Sequence, residues 1–292
     1  MKISAYTTTL NCFKNDYPFQ QSIRVMLDVF DEVCVADGGS TDDTHGVLLD
    51  MASHNPRLKV QSFPVDLSQP RWAIESDGRL KTKARQMCTG DVLWQIDNDQ
   101  FIAPSSKRSV QSISKFCLEN NCIMALEQVE FWGDETICRD DLTPKPMVSP
   151  ANVGLIHDIN AGAIKKDGNN EEYCKPYMSD SCDLVGGNTR LHLLPIFRSP
   201  LAPKVYHVSW LDLHRKVSHY VKLWPDFHKS MYNLDHTHNA MFPIPLDQVV
   251  EKDIDNEYKS TWQGKTRELT RAELSQYQEI KNYELSHKQH NT

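Results

Sequence analysis

Apolar positions in the first hundred residues switch repeatedly between a strand period and a helix period. Lys2–Leu10 is a β-branched run. Phe19, Ile23, Met26, Leu27 and Phe30 then fall at helical spacing, which predicts a helix over Pro18–Phe30 with proline near its start. Glu32–Ala36 reads as a short buried strand, Leu58–Phe63 as a third and Asp91–Ile96 as a fourth. Between them a helix is expected after Asp37–Thr44, with Ser40 or Thr41 as N-cap and acids in its first turn. Ala73–Met87 is helix-like but interrupted at Asp77-Gly78, and Ser105–Glu119 is a further helix.

This βαβαβαβ order predicts an α/β fold, a mostly parallel central sheet covered by helices on both faces. Ligands of such sheets sit beyond the carboxyl ends of the strands. Two acidic clusters, at Asp37 and at Asp97–Asp99, fall at predicted carboxyl ends. In the second half, Cys122–Trp132, Arg190–Phe197 and Lys204–Val208 read as strands and Leu211–Tyr232 as a helix. Glu251–His287 is highly charged and mostly helical, so residues 1–235 are expected to form the main domain and 236–292 a helical C-terminal extension.

Composition narrows the class. The 292 residues are 39% hydrophobic and 24% charged, ordinary for a globular protein with a full core. The net charge of −7 argues against a general nucleic-acid binder. No apolar run approaches the roughly 20 residues of a membrane span, and Met1–Thr9 carries no apolar signal region. The eight cysteines form no CxxC pair and read as reduced thiols, so a cytoplasmic location is expected.

The sharpest chemical signal is Asp97-Asn98-Asp99. Two carboxylates one residue apart at a strand end can converge on one hard cation. Such a cation can neutralise a departing diphosphate. The loop Asp37-Gly38-Gly39-Ser40-Thr41-Asp42 leaves a strand, turns on two glycines and enters a helix, and its carboxylate could accept a hydrogen bond from a base or ribose. Lys81 and Arg85, four apart, share one helix face and could reach phosphates. His214, His219, His228, His236 and His238 lack the Cys pair or tight helical spacing of a zinc site. The six tryptophans read as packing residues, with Trp132 also able to stack on a sugar face.

Four motifs in order resemble the GT-A glycosyltransferases of family 2, in a phage and bacterial branch. They are Thr8-Thr9-Leu10-Asn11, Asp37–Thr44, Lys83-Ala84-Arg85 and Asp97-Asn98-Asp99. The resemblance covers about the first 130 residues well and the rest loosely. Gln86 and Gln100 depart from the family pattern, which has Asn and often Glu there. The resemblance implies transfer of a sugar from a nucleoside diphosphate donor, UDP-linked, to an acceptor hydroxyl of a glycan, lipid or protein, with inversion. It implies Mn²⁺ or Mg²⁺ held by Asp99 and Asp97, with His207 as a further ligand. It places Thr8, Asn11, Asp37, Lys81, Arg85 and Asp97 around the donor, Asp37 on the base. Gly154–Asp158 resembles the family's short segment carrying the base, which points to Asp158, with Asp134 and Asp180 or Asp183 as rivals. A sugar-phosphate nucleotidyltransferase would need a Gly-rich first loop, which Tyr6–Asn11 is not. A non-catalytic nucleotide- or glycan-binding protein on the same fold is the other alternative, and intact Asp37, Asp97 and Asp99 argue against it.

Overall fold

The computed structural model describes residues 1–66, 72–140, 145–152, 155–158, 161–165, 171–173, 183–186, 189–196, 202–213, 215–216 and 266–288. The strands are β1 (Ile3–Thr9), β2 (Glu32–Asp37), β3 (Leu58–Ser62), β4 (Val92–Gln95), β5 (Gln100–Phe101), β6 (Ile123–Leu126), β7 (Gln128–Glu130) and β8 (Ile137–Arg139). They continue with β9 (Lys145–Pro150), β10 (Leu155–Asp158), β11 (Ala161–Lys165), β12 (Glu171–Tyr173), β13 (Asp183–Gly186), β14 (Thr189–Ile196), β15 (Val205–His207) and β16 (Thr266–Glu268). The helices are α1 (Phe19–Val29), α2 (Thr44–His54), α3 (Trp72–Met87), α4 (Lys107–Glu119) and α5 (Arg271–Lys288).

An eight-stranded sheet runs β13-β14-β6-β9-β4-β1-β2-β3. β4, β1, β2 and β3 are mutually parallel, β9 enters antiparallel between β4 and β6, and β14 pairs parallel with β6. The α/β expectation is met. The alternation of side chains explains why both faces are covered. Ile3, Ala5, Val33, Val35, Val92 and Trp94 join one core with Phe19 and Ile23 of α1, Phe30 at its C-cap, Leu48 of α2, and Val110 and Ile113 of α4. Tyr6, Cys34, Ala36 and Leu93 face the other way, onto Leu80 and Ala84 of α3. Trp94 is fully buried and donates its indole N–H to Ser114 Oγ at 2.8 Å.

Local differences from the sequence expectations have physical causes. α3 runs without a break through Asp77-Gly78, because tertiary packing on the sheet outweighs the helix cost of one glycine. α2 starts later than expected, with Asp43 at its N-cap and no acid in its first turn. Ser40 and Thr41 are engaged elsewhere, as shown below. The single strand expected over Cys122–Trp132 divides at Glu127: β6 stays in the large sheet, while β7 joins a small sheet ordered β5-β15-β7. Thr266–Glu268, inside a stretch expected to be helical, pairs antiparallel with β8.

The described C-terminal residues pack on the small sheet. Leu269, Tyr277 and Ile280 share a core with Phe101, Val129, Phe131 and Tyr206. Thr270 and Glu273 form a capping box at the start of α5, and Arg267 holds the Glu273 carboxylate with two bonds of 2.8 Å. Most of Leu211–Tyr232, the residues 251–265, Trp224, Trp262, Asp180 and the five histidines from His214 to His238 lie outside the described residues. Among the described residues no helix is long and apolar enough to cross a membrane. Six cysteines, Cys12, Cys34, Cys88, Cys117, Cys122 and Cys138, are free.

At the amino end of the parallel strands, Glu32 anchors the start of β2. Its buried carboxylate accepts from Lys2 Nζ at 3.0 Å, Ser4 Oγ at 2.6 Å and Thr89 N at 2.7 Å, and pairs with Lys59 at 2.6 Å. Burial would raise its pKa, but Lys59, Ser4, Thr89 and Lys2 together hold the carboxyl well below the usual glutamate range. A depressed folded pKa contributes stability above the unfolded value near 4.5, which is lost as pH falls through that range. Both lysines are well exposed, so screening limits the gain. Glu32→Gln should therefore lower stability by about 1–2 kcal/mol at pH 7. Urea unfolding should also show a flatter loss of stability between pH 5 and 3 than in wild type.

Candidate functional site

The ends of β1, β2 and β4 meet above the sheet, and two loops are locked there. The Asp37 carboxylate is fully buried. Its Oδ1 accepts from Thr9 Oγ1 at 3.1 Å and Ser40 Oγ at 2.6 Å; its Oδ2 accepts from the N–H groups of Gly39 at 3.0 Å and Ser40 at 2.9 Å. A carboxylate has about four lone-pair positions, and all are filled. Asp37 therefore shapes the loop at the end of β2. Gly39 has φ of 84°, and a Cβ there would lie 2.9 Å from Pro64 Cα, so only glycine fits.

Asn11 is engaged in the same way. Its Oδ1 accepts from Thr41 N at 2.7 Å, and its own N–H donates to Ser40 Oγ at 2.8 Å. This ties the β1 loop to the β2 loop. Thr8, half-buried at the end of β1, offers its carbonyl to Asn98 Nδ2 at 2.9 Å. A cleft of about 410 Å³ opens beside this loop, lined by Cys12, Tyr17, Phe19, Val208, Asp212 and Arg215.

The acidic turn after β4 is set by its own hydrogen bonds. Gln95 Nε2 donates to Asp97 Oδ1 at 2.6 Å, and Asp97 N donates to Gln100 Oε1 at 2.9 Å. Lys81 Nζ pairs with Asp97 Oδ1 at 2.9 Å, so the lysine does reach the turn. The buried guanidinium of Arg85 donates to Ser149 Oγ at 2.8 Å and Pro150 O at 2.9 Å, fastening α3 to β9.

Asp99 and His207 come together from elements more than a hundred residues apart. β5 pairs antiparallel with β15, and Val208 N donates to Asp99 O at 3.1 Å. His207 Nε2 lies 3.4 Å from Asp99 Oδ2, and Nδ1 lies 3.4 Å from Glu130 Oε1. Both carboxylates are buried, at 5% exposure each. Burial alone would lower the imidazole pKa, but Asp99 and Glu130 outweigh it and raise it to about 9. Conversely, burial would raise the Asp99 carboxyl, yet His207 and Lys216 hold it well below the carboxylate range. Glu130 is likewise lowered, against its burial, by His207, Arg139 and Lys216. Glu130 was not among the expected residues: it sits in a strand, with no motif around it. The warning in the sequence was a carboxylate between Val129 and Phe131.

The three candidates for the base stand apart. Asp134 Oδ1 accepts from Thr136 N at 2.7 Å and Oγ1 at 2.6 Å, capping the turn between β7 and β8. Asp183 begins β13, the edge strand of the large sheet, four strands from β4. Asp158 ends β10, in a three-stranded antiparallel sheet with β11 and β12 that lies against α3.

No protein-family model matches the chain. Over 104 residues it is 30% identical to the chondroitin synthase of Escherichia coli, a stretch covering 36% of this chain and 14% of that protein. The chain thus matches only a small part of that relative's length. Among solved structures it is similar to S. aureus TarS, with 16% identity over 90% of this chain and 44% of that one, at a TM-score of 0.44. It is also similar to glucosyl-3-phosphoglycerate synthase from Mycobacterium tuberculosis in complex with Mn²⁺ and UDP-glucose. There the identity is 21%, covering 44% of each chain, at a TM-score of 0.30.

The loop role of Asp37 is testable. Asp37→Ala leaves two backbone N–H groups and two hydroxyls unmatched inside the protein, so it should cost about 3 kcal/mol or more in urea unfolding. A residue acting only on a ligand would leave stability within about 0.5 kcal/mol.

Proposed function

We propose that the chain is a glycosyltransferase that moves a sugar from a UDP-linked donor to an acceptor hydroxyl with inversion, using Mn²⁺ or Mg²⁺. The observation that carries this reading is the meeting of Asp99 and His207 at the carboxyl end of β4. That is where an α/β sheet binds its ligand. The four ordered motifs and the stretch of 30% identity to a chondroitin synthase support sugar transfer as the chemistry.

The residues fit a divalent cation. A buried carboxylate and an imidazole nitrogen face each other at 3.4 Å, and a second carboxylate, Asp97, is two residues away. Asp99 and His207 would hold the metal, with Asp97 contributing on the ribose or metal side. Bound there, the metal would offset the negative charge that grows on the departing diphosphate.

The chain's own groups carry the rest. Thr8 and the Asn98 side chain fix the shape of the floor between β1 and β4. Lys81, now paired with Asp97, stands where it can shift to a phosphate. The base that takes the acceptor proton is Asp158. Its strand, β10, lies against α3, the helix of Lys81, whereas Asp134 caps its own turn and Asp183 lies in the edge strand of the large sheet. Buried Asp37 and Asn11 keep the two loops closed, so the donor meets a preformed surface.

Two substitutions test the reading. Asp99→Ala should abolish Mn²⁺-dependent binding of UDP in titration calorimetry while the protein stays folded. Metal dependence equal to wild type would contradict the assignment. Asp158→Asn keeps the shape but not the proton affinity, so donor affinity should hold while turnover drops by roughly a hundredfold or more. Turnover within a few-fold of wild type would pass the role to Asp134 or Asp183.

A further inference from the structure

The small sheet β5-β15-β7 has two unlike faces, and its register explains them. Tyr206 pairs with Phe101 on one side and Val129 on the other, and these residues lie together in the core under α5. His207 pairs with Gln100 and Glu130, so these three project to the opposite, polar face. A parallel pair at one register level brings its two side chains side by side. Glu130 is therefore beside His207 because of the backbone, whatever the side-chain rotamers do.

Glu130 is held in its own right. Arg139 Nη1 approaches its Oε2 at 3.5 Å, leaving Oε1 toward the imidazole. His207 Nδ1 is buried and has no aligned hydrogen-bond partner among the described residues, although Glu130 Oε1 is 3.4 Å away. A small rotation of the ring would complete that bond. The opposite ring nitrogen, Nε2, faces Asp99. The histidine is thus set between one carboxylate proposed as a metal ligand and one that has no place in that shell.

We propose that Glu130 is the positioning residue for His207, accepting a hydrogen bond from Nδ1–H so that the Nε2 lone pair is directed at the cation held with Asp99. This rests on the metal reading above. Binding a cation at Nε2 would release the proton of that nitrogen to solvent, while the Nδ1 proton stays on the imidazole, donated to Glu130. A ligating histidine whose other nitrogen donates to a carboxylate is fixed in tautomer and orientation, and gains basicity as a ligand. Behind it, Tyr206 Oη donates to Gln276 Oε1 at 2.8 Å, so α5 braces the strand that carries the histidine.

Two measurements on the full chain test the role of Glu130. The first uses wild type loaded with UDP and Mg²⁺ and reads the His207 ring N–H by ¹H–¹⁵N NMR, with His207→Asn identifying the signals. An Nδ1–H shifted downfield by a carboxylate acceptor is expected; an Nδ1–H without that shift would overturn the proposal. The second follows Mn²⁺ binding to the UDP-loaded protein by loss of the free Mn²⁺ signal in electron paramagnetic resonance. Glu130→Gln should weaken Mn²⁺ binding about 10–100-fold, with substantial recovery in Glu130→Asp. An affinity within twofold of wild type in a folded Glu130→Gln protein would overturn it. Should Glu130→Gln fail to fold, the Nδ1–H shift of the wild-type ring decides. Failure of wild type itself to bind Mn²⁺ contradicts the metal reading instead.

Discussion

A buried imidazole between two buried carboxylates is the interaction on which this structure turns. Taking Asp99 and Glu130 out of water costs several kcal/mol each unless opposing charge meets them. His207 supplies that charge, and Arg139 and Lys216 add to it. A site that holds a proton this firmly has a strong local negative potential. The same potential would favour the divalent cation of the proposed transfer reaction. The arrangement is costly for stability alone, which is why its location at the strand ends carries functional meaning.

The fold exists to bring these groups together. The four parallel strands β3, β2, β1 and β4 set the floor, and α1 and α3 close its two faces. Asp99 leaves the floor at the end of β4, and the chain then commits two residues, β5, to a second sheet. That sheet carries β15 back over the site. Its apolar face rests on Tyr277 and Ile280 of α5, so described residues near the C-terminus support a histidine that meets a residue near position 100. The loops at Asp37 and Asn11 lock to each other through Ser40.

Much of this was legible in the sequence because it is local. The helical spacing of Phe19, Ile23, Met26 and Phe30 and the alternation in β1, β2 and β4 are read directly from side-chain period. Asp97-Asn98-Asp99 announced itself by density of charge, and His207 by its place after a strand. What was not legible depends on distance. Whether Arg85 faces phosphates or Ser149 is decided by where β9 lies, and β9 is 64 residues further on. Asp37 and Asn11 carry the residue types of a binding loop, but those types also build tight turns, and here the turn takes every lone pair of Asp37. Glu130 has no local signature at all: its meaning comes from a register with a strand 77 residues away, since 207 less 130 is 77. Strand pairings at such separations are set by global topology, not by period.

The most direct test of the central claim is an anomalous diffraction map from crystals grown with UDP and Mn²⁺. It should place one Mn²⁺ in direct coordination to an Asp99 oxygen and to His207 Nε2, with Glu130 against Nδ1 and the UDP diphosphate completing the shell. An ion bound away from Asp99, or a His207 ring still paired to Asp99 with the metal elsewhere, would contradict it.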